Sequence, residues 1–144
     1  MKWEYDNGGR PDCLPKAKGD CVTRAIAIAT EIDYVIVREM ILDLAKNERK
    51  GKRKHGISCP DSGVYIRTIR KIMTEIVGWE WTPTMFIGSG CKVHLRDGEL
   101  PDGRLVLSLS RHITAVVDGV IRDTYDPSRD GTRCVYGYWK KARS

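Results

Sequence analysis

Apolar and polar positions follow two different periods along this chain, and the change falls near residue 78. Before it the period is helical. Val22, Ala25, Ile26, Ala27, Ile28 and Ala29 form a run that is apolar nearly all the way round, which marks a helix buried inside a domain rather than one with a solvent face. The pattern predicts this helix from Cys21 to about Thr30, with Asp20 as an N-cap accepting from the free N–H groups of the first turn. Asp33 is placed to cap a second helix, Tyr34 to about Asn47, in which Val35, Ile36, Met40, Ile41 and Leu44 recur at helical spacing. A third helix opens at Pro60-Asp61-Ser62-Gly63 and runs to about Val77. Its inner face is Val64, Ile66, Ile69, Ile72, Met73 and Ile76, its outer face Arg67, Arg70, Lys71 and Glu75, and Gly78 stops it. Met1 to Gly19, broken by Asn7-Gly8-Gly9, Pro11 and Pro15, predicts irregular chain wrapped over the domain.

After Gly78 the runs are short and β-rich. Thr82–Ile87, Lys92–Leu95, Leu105–Leu109, Arg111–Val117, Val120–Tyr125 and Cys134–Trp139 read as strands. Asp118-Gly119 between two of them is a strong hairpin signal. Helices first and strands second predict an α+β fold: N-terminal helices, the first of them central and buried, packed on a C-terminal antiparallel sheet. At 144 residues, with no repeat and no long linker, the whole chain, 1–144, is expected to be one domain.

Composition changes this picture little. With 41% hydrophobic and 31% charged residues the chain is an ordinary globular one. No apolar run reaches membrane-spanning length, and Met1–Asp6 lacks the apolar stretch of a signal peptide, so the expected location is the cytoplasm, with no membrane partner. Cys13, Cys21, Cys59, Cys91 and Cys134 are odd in number and widely spaced, which reads as free thiols in a reducing compartment. His55 and Cys59 have no Cys-x-x-Cys pair to complete a zinc site, so no metal and no cofactor is expected. The net charge of +6 is concentrated in Lys46–Lys54. That run carries no interleaved aromatic residues for base stacking, and it reads as a solvated loop rather than a nucleic-acid surface.

The candidate chemistry begins at Cys21. On the first turn of a helix its thiolate is favoured by the positive end of the helix dipole. A buried structural cysteine would satisfy the local pattern equally well, and the C-terminal hairpin decides between the two. With a two-residue Asp118-Gly119 turn, Val117 pairs with Val120, Val116 with Ile121, Ala115 with Arg122 and Thr114 with Asp123. Parity then puts His112, Thr114 and Val116 on one face with Ile121, Asp123 and Tyr125. Asp123 is the diagonal neighbour of His112, at a separation of roughly 7–8 Å that long side chains can bridge. A carboxylate there holds one ring nitrogen and leaves the other for a thiol proton. Asp126 is the second candidate. It falls on the other face and precedes Pro127, which ends a strand, so it is expected to cap a turn through Ser128 or Arg129. His94 reads as a surface histidine at a strand end.

A cysteine at the mouth of a buried helix, followed much later by histidine and aspartate on neighbouring antiparallel strands, resembles the papain-like cysteine peptidase superfamily. More closely, Gly19-Asp20-Cys21-Val22-Thr23-Arg24-Ala25, Arg111 to Gly119 and Asp123-Thr124-Tyr125-Asp126 resemble small proteins encoded by tailed phages and prophages. The resemblance runs from Gly19 to Trp139. It implies a papain-like domain with Cys21 as nucleophile, His112 as general base and Asp123 as orienting acid, acting on a peptide or isopeptide bond, in the host cytoplasm if the chain is phage-encoded. It departs from the family in one respect. Papain-like peptidases carry a glutamine shortly before the nucleophile to complete the oxyanion hole, whereas this chain has Pro15-Lys16-Ala17-Lys18 there and no glutamine at all. The Cys21 N–H is one donor, and Asn7 or the Asp20 backbone are candidates for the second. Loss of one such donor costs about 10²–10³ in rate, so a catalytically weak or inactive module that binds a host protein is the alternative reading.

Overall fold

A computed structural model describes residues 1–14, 19–48 and 56–142. The Pro15–Lys18 segment, most of the basic run and His55 lie outside the described residues. Helix α1 (Cys21–Thr30) has the extent its apolar run predicts, and Val22, Ala25, Ile26 and Ala29 are buried. In α2 (Tyr34–Ala45) the Asp33 carboxylate accepts from Val35 N at 2.9 Å, the predicted cap. Its buried stripe is Tyr34, Val37, Ile41 and Ala45, and Val35 and Ile36 face solvent. The helix is rotated from the expected face because the Tyr34 hydroxyl finds a buried partner in Asp20.

The third helix starts later than the sequence suggests. Cys59 N donates to Gly63 O at 2.8 Å and Gly63 N to Cys59 O at 3.0 Å. That closed turn occupies the stretch read as the first helical turn, and α3 covers only Ile66–Arg70. It continues as a π-helical turn, Lys71–Ile76, in which Val77 N reaches Ile72 O at 2.8 Å. Ile69, Ile72 and Met73 are buried as expected, while Ile66 and Ile76 are exposed.

Six strands form one sheet: β1 (Lys2–Tyr5), β2 (Trp79–Pro83), β3 (Arg104–Leu109), β4 (His112–Val117), β5 (Val120–Asp123) and β6 (Val135–Lys141), in the order β1-β5-β4-β3-β6-β2. The class is α+β, but the sheet is mixed rather than antiparallel, because β1 pairs parallel with β5. Four residues ahead of a glycine turn give too short a pattern to mark as a strand, and what holds β1 is long-range. Trp3 Nε1 and Asp6 N both donate to Asp123 O, at 3.2 and 3.0 Å. The Asp118-Gly119 hairpin has the predicted register, with φ of 47° and 78° at its two turn residues. β2 begins at Trp79, ahead of the predicted Thr82, because Trp81 packs on Trp139 with ring centroids 4.4 Å apart. Lys92–Leu95 makes only a single bridge, His94 with Cys134.

Alternate strand residues feed two apolar layers. Val106, Ile113, Ala115, Val117 and Trp139 meet the helices. Leu105, Leu107, Leu109, Val116 and Ile121 are covered on the other face by Leu95, Val93 and Leu100. Cys91 and Cys134 are joined by a disulfide that fastens this covering segment to the start of β6. The expectation of five free thiols is therefore wrong for two of them, and the case for a reducing compartment built on it falls. Pairing cannot be read from spacing; the bridge between His94 and Cys134 is what brings residues 43 apart together. Among the described residues no helix is long and apolar enough to cross a membrane.

Closing a loop of 43 residues stabilises the native state by about 2–4 kcal/mol, chiefly by restricting the unfolded chain. Urea unfolding with and without reductant is expected to differ by that amount, with the same loss in Cys134→Ser.

Candidate active site

His112 is the first residue of β4 and Asp123 the last of β5, so the two sit side by side at the end of the sheet where β3 turns into β4. Their contact is His112 Nε2 to Asp123 Oδ2 at 2.7 Å. Thr114 Oγ1 donates to the same oxygen at 2.7 Å, and Thr124 N and Arg24 Nη2 donate to Oδ1 at 2.7 and 3.2 Å. Burial alone would raise the Asp123 pKa, but these donors outweigh it and hold it below the usual carboxylate value. An ionised carboxylate only accepts, so Nε2 carries a proton and Nδ1 is left for the thiol.

Cys21, the first residue of α1, lines one cleft with His112 and Ile113, and the imidazole and the Ile113 backbone N–H both act on its thiol. Burial pushes its thiol up; these two groups and the nearby positive charges of His112 and Arg24 more than reverse this, and the pKa lies below its ordinary value. His112 is the counterpart. Burial disfavours the imidazolium, Asp123 and Cys21 favour it, and its pKa is raised. Tyr125 covers the ring, with centroids 5.2 Å apart.

The other candidates fall away from this centre. Asp126 Oδ1 accepts from Ser128 N at 2.9 Å, the expected turn cap. Asn7 Oδ1 closes its own turn on Gly9 N at 3.0 Å, and Asn7 does not line the cleft. Asp20 stands at the N-cap position but makes no side-chain cap bond. Its carboxylate instead takes Arg24 on one oxygen and the Tyr34 hydroxyl, at 2.7 Å, with Arg10 at 3.5 Å on the other. Tyr34 is pushed up to about 12, first by burial and then by Asp20, so it remains a donor. Both oxygens are engaged by these partners rather than by the first-turn N–H groups, and the charge pairing wins.

Arg24 is the site residue that the sequence pattern gave no role. Three residues after Cys21 it lies on the same helix face and ties Asp20 to Asp123. One charge inside an otherwise apolar helix was the signal. Among the described residues no group of three or more His, Cys, Asp or Glu could hold a metal ion.

A cleft of about 460 Å³ opens beside Cys21 and His112. One wall is the 59–63 turn, pinned to the segment that carries Cys21 by Gly19 N to Asp61 O at 3.0 Å and Thr23 Oγ1 to Pro60 O at 2.8 Å. A Cβ on Gly19 would stand 2.9 Å from the Ser62 carbonyl oxygen, so only glycine allows this closeness. No family model, curated protein or solved structure matches the chain.

Asp20→Asn separates the two roles of that residue. Asparagine caps helices about as well as aspartate, so a capping role predicts almost no change. Removing the carboxylate from buried Arg24 is instead expected to cost about 2–4 kcal/mol in urea unfolding.

Proposed function

We propose that the chain is a thiol hydrolase of the papain-like type, cleaving a peptide or isopeptide bond in a peptide or protein substrate, one of a bacterial host if the chain is phage-encoded. The observation that carries the reading is that Cys21 and His112 line one cleft, with the imidazole held at 2.7 Å on its Nε2 side by the buried Asp123 carboxylate; the thiol pKa is lowered in keeping with this. The Cys21 thiolate attacks the substrate carbonyl carbon and forms a tetrahedral oxyanion, for which the Cys21 N–H, unpaired within the helix, is one donor. The oxyanion collapses as the C–N bond breaks, and the imidazolium Nδ1–H protonates the departing amine. A thioester remains on Cys21. Nδ1 then takes a proton from water as the water attacks the thioester; the acid leaves and the proton returns to the pair.

A second reading, a binding module on the same fold, is favoured by one observation: no Asn or Gln lines the cleft among the described residues to supply the second oxyanion donor. Cys21→Ala discriminates, since a binding module keeps its whole biological effect without the thiol.

The chemical test is alkylation of Cys21 by iodoacetamide across pH, followed by peptide mass spectrometry. Because the Cys21 pKa is lowered, its labelling is expected to rise with pH below the ordinary thiol range, while hydrolysis falls again as pH climbs through the raised pKa of His112 and the imidazolium is lost. In His112→Ala burial dominates the thiol, and labelling at pH 7 is expected to fall about tenfold or more. Asp123→Asn is expected to lower kcat by about 10²–10⁴ through loss of the oriented tautomer, whereas Asp126→Asn leaves kcat unchanged. A Cys21 that labels no faster than a small-molecule thiol at neutral pH overturns the reading.

A further inference from the structure

The link between β3 and β4 is two residues, Ser110 and Arg111, between the paired Leu109 and His112. Arg111 adopts φ 55°, in the left-handed region that a long side chain enters at a cost and glycine enters freely. The turn is braced from behind, where buried Arg133 donates to Ser110 O at 2.5 Å. The strained residue is thus held in place by its surroundings, the condition under which strain persists at functional sites.

The side chain kept there lines the Cys21 cleft. Other arginines around the sheet are occupied: Arg24 with Asp20 and Asp123, Arg122 with Glu4 and Asp6, Arg104 with Glu31. Arg111 has no hydrogen bond or ion pair among the described residues. The rest of the described lining contains no Asp or Glu, and much of it is apolar: Val22, Val64, Ile66, Ile69, Leu109 and Ile113. Beside the His112–Cys21 pair, the described lining of the cleft therefore presents one permanent charge, a cation, among apolar side chains. A guanidinium in that position matches a carboxylate through two parallel N–H···O bonds.

We propose that Arg111 sets the specificity of this cleft, and that its substrates carry a carboxylate close to the scissile carbonyl on an otherwise apolar chain. The proposal rests on Cys21 being the reacting group. The carboxylate is either an acidic side chain on the acyl side or a free C-terminus on the leaving side; the guanidinium recognises both by the same chemistry.

The test compares an anionic with a neutral alkylating agent, iodoacetate and iodoacetamide, at Cys21, with the exposed free thiol of Cys13 as internal reference. In both reactions the thiolate forms a C–S bond and iodide leaves. The iodoacetate-to-iodoacetamide rate ratio at Cys21 is expected to fall about three- to fivefold in Arg111→Gln, the upper part of the range for an exposed ion pair. It is expected to fall equally in Arg111→Gly, which relieves the backbone, and to hold within about twofold in Arg111→Lys, which keeps the charge. The ratio at Cys13 stays constant throughout, and added salt lowers the wild-type ratio at Cys21. Peptide amides with Glu against Gln on the acyl side, and peptides with free against amidated C-termini, then tell the two sources apart. A ratio that Arg111→Gln and Arg111→Gly leave unchanged, or equal slowing of both reagents, overturns the proposal. Fast labelling of Cys21 with a ratio independent of Arg111 refutes the anion site alone. Slow labelling with a ratio that still depends on Arg111 refutes the nucleophile alone.

Discussion

The structure turns on the burial of one negative charge. Asp123 is 2% exposed, and a carboxylate taken from water at that depth must be matched by donors or give up its charge. Four donors converge on it: an imidazole, a hydroxyl, a backbone N–H and a guanidinium. They come from three separate constraints. The imidazole and the hydroxyl are fixed by the β4–β5 register, the N–H by the chain's own exit from β5, and the guanidinium by how α1 sits on the sheet. The backbone of the same residue holds β1, through Trp3 and Asp6. Satisfying this one group fixes the relative position of a helix and three strands.

The charge then passes inward. Arg24 needs a second anion because Asp123 is already shared, and Asp20 provides it; Asp20 in turn draws Tyr34 and Arg10, and Arg10 and Arg38 meet Asp61. Asp61 is held below its usual value, chiefly by Arg38, and its carbonyl holds Gly19. The polar chain thus begins at Asp123 and returns to the segment that presents Cys21. Core packing alone would not position the 59–63 turn this way, since apolar contact has no direction and hydrogen bonds do.

What the sequence made legible follows the range of the forces involved. The β4–β5 hairpin was readable because Asp-Gly fixes a two-residue turn and a two-residue period fixes everything after it, so Asp123 could be preferred to Asp126 by parity alone. Helix α1 was readable because its apolar run needs no partner to be recognised. The misses all depend on distant residues. The strand Lys2–Tyr5 exists only beside Val120–Asp123, and the face of α2 was set by one hydroxyl reaching Asp20. The 91–134 disulfide depends on a loop laid across the sheet. Asp20 was misassigned for a related reason: the capping rule sees only the first turn of its own helix, while the carboxylate was claimed by side chains one turn ahead and one helix away.

Burial sets Cys21 and His112 against their charged forms, since desolvation raises a thiol and lowers an imidazole. Left to burial, the pair would be neutral. Both nonetheless move the other way, because each favours the other's charged form and a fixed anion stands behind the histidine. The position at the sheet's end makes this possible. Val116 and Ile121, which share the strand parity of His112 and Asp123, belong to the apolar layer opposite the helices. In mid-strand a side chain on that face would be hidden from α1 by the sheet itself. At the first residue of β4 no further strand residue intervenes, so the helix-borne thiol meets both the imidazole and the Ile113 N–H. A register shift of one residue would turn His112 away, and lengthening the β3–β4 turn would carry it out of reach. The two-residue Ser110-Arg111 turn is therefore part of the electrostatic arrangement as much as of the hairpin.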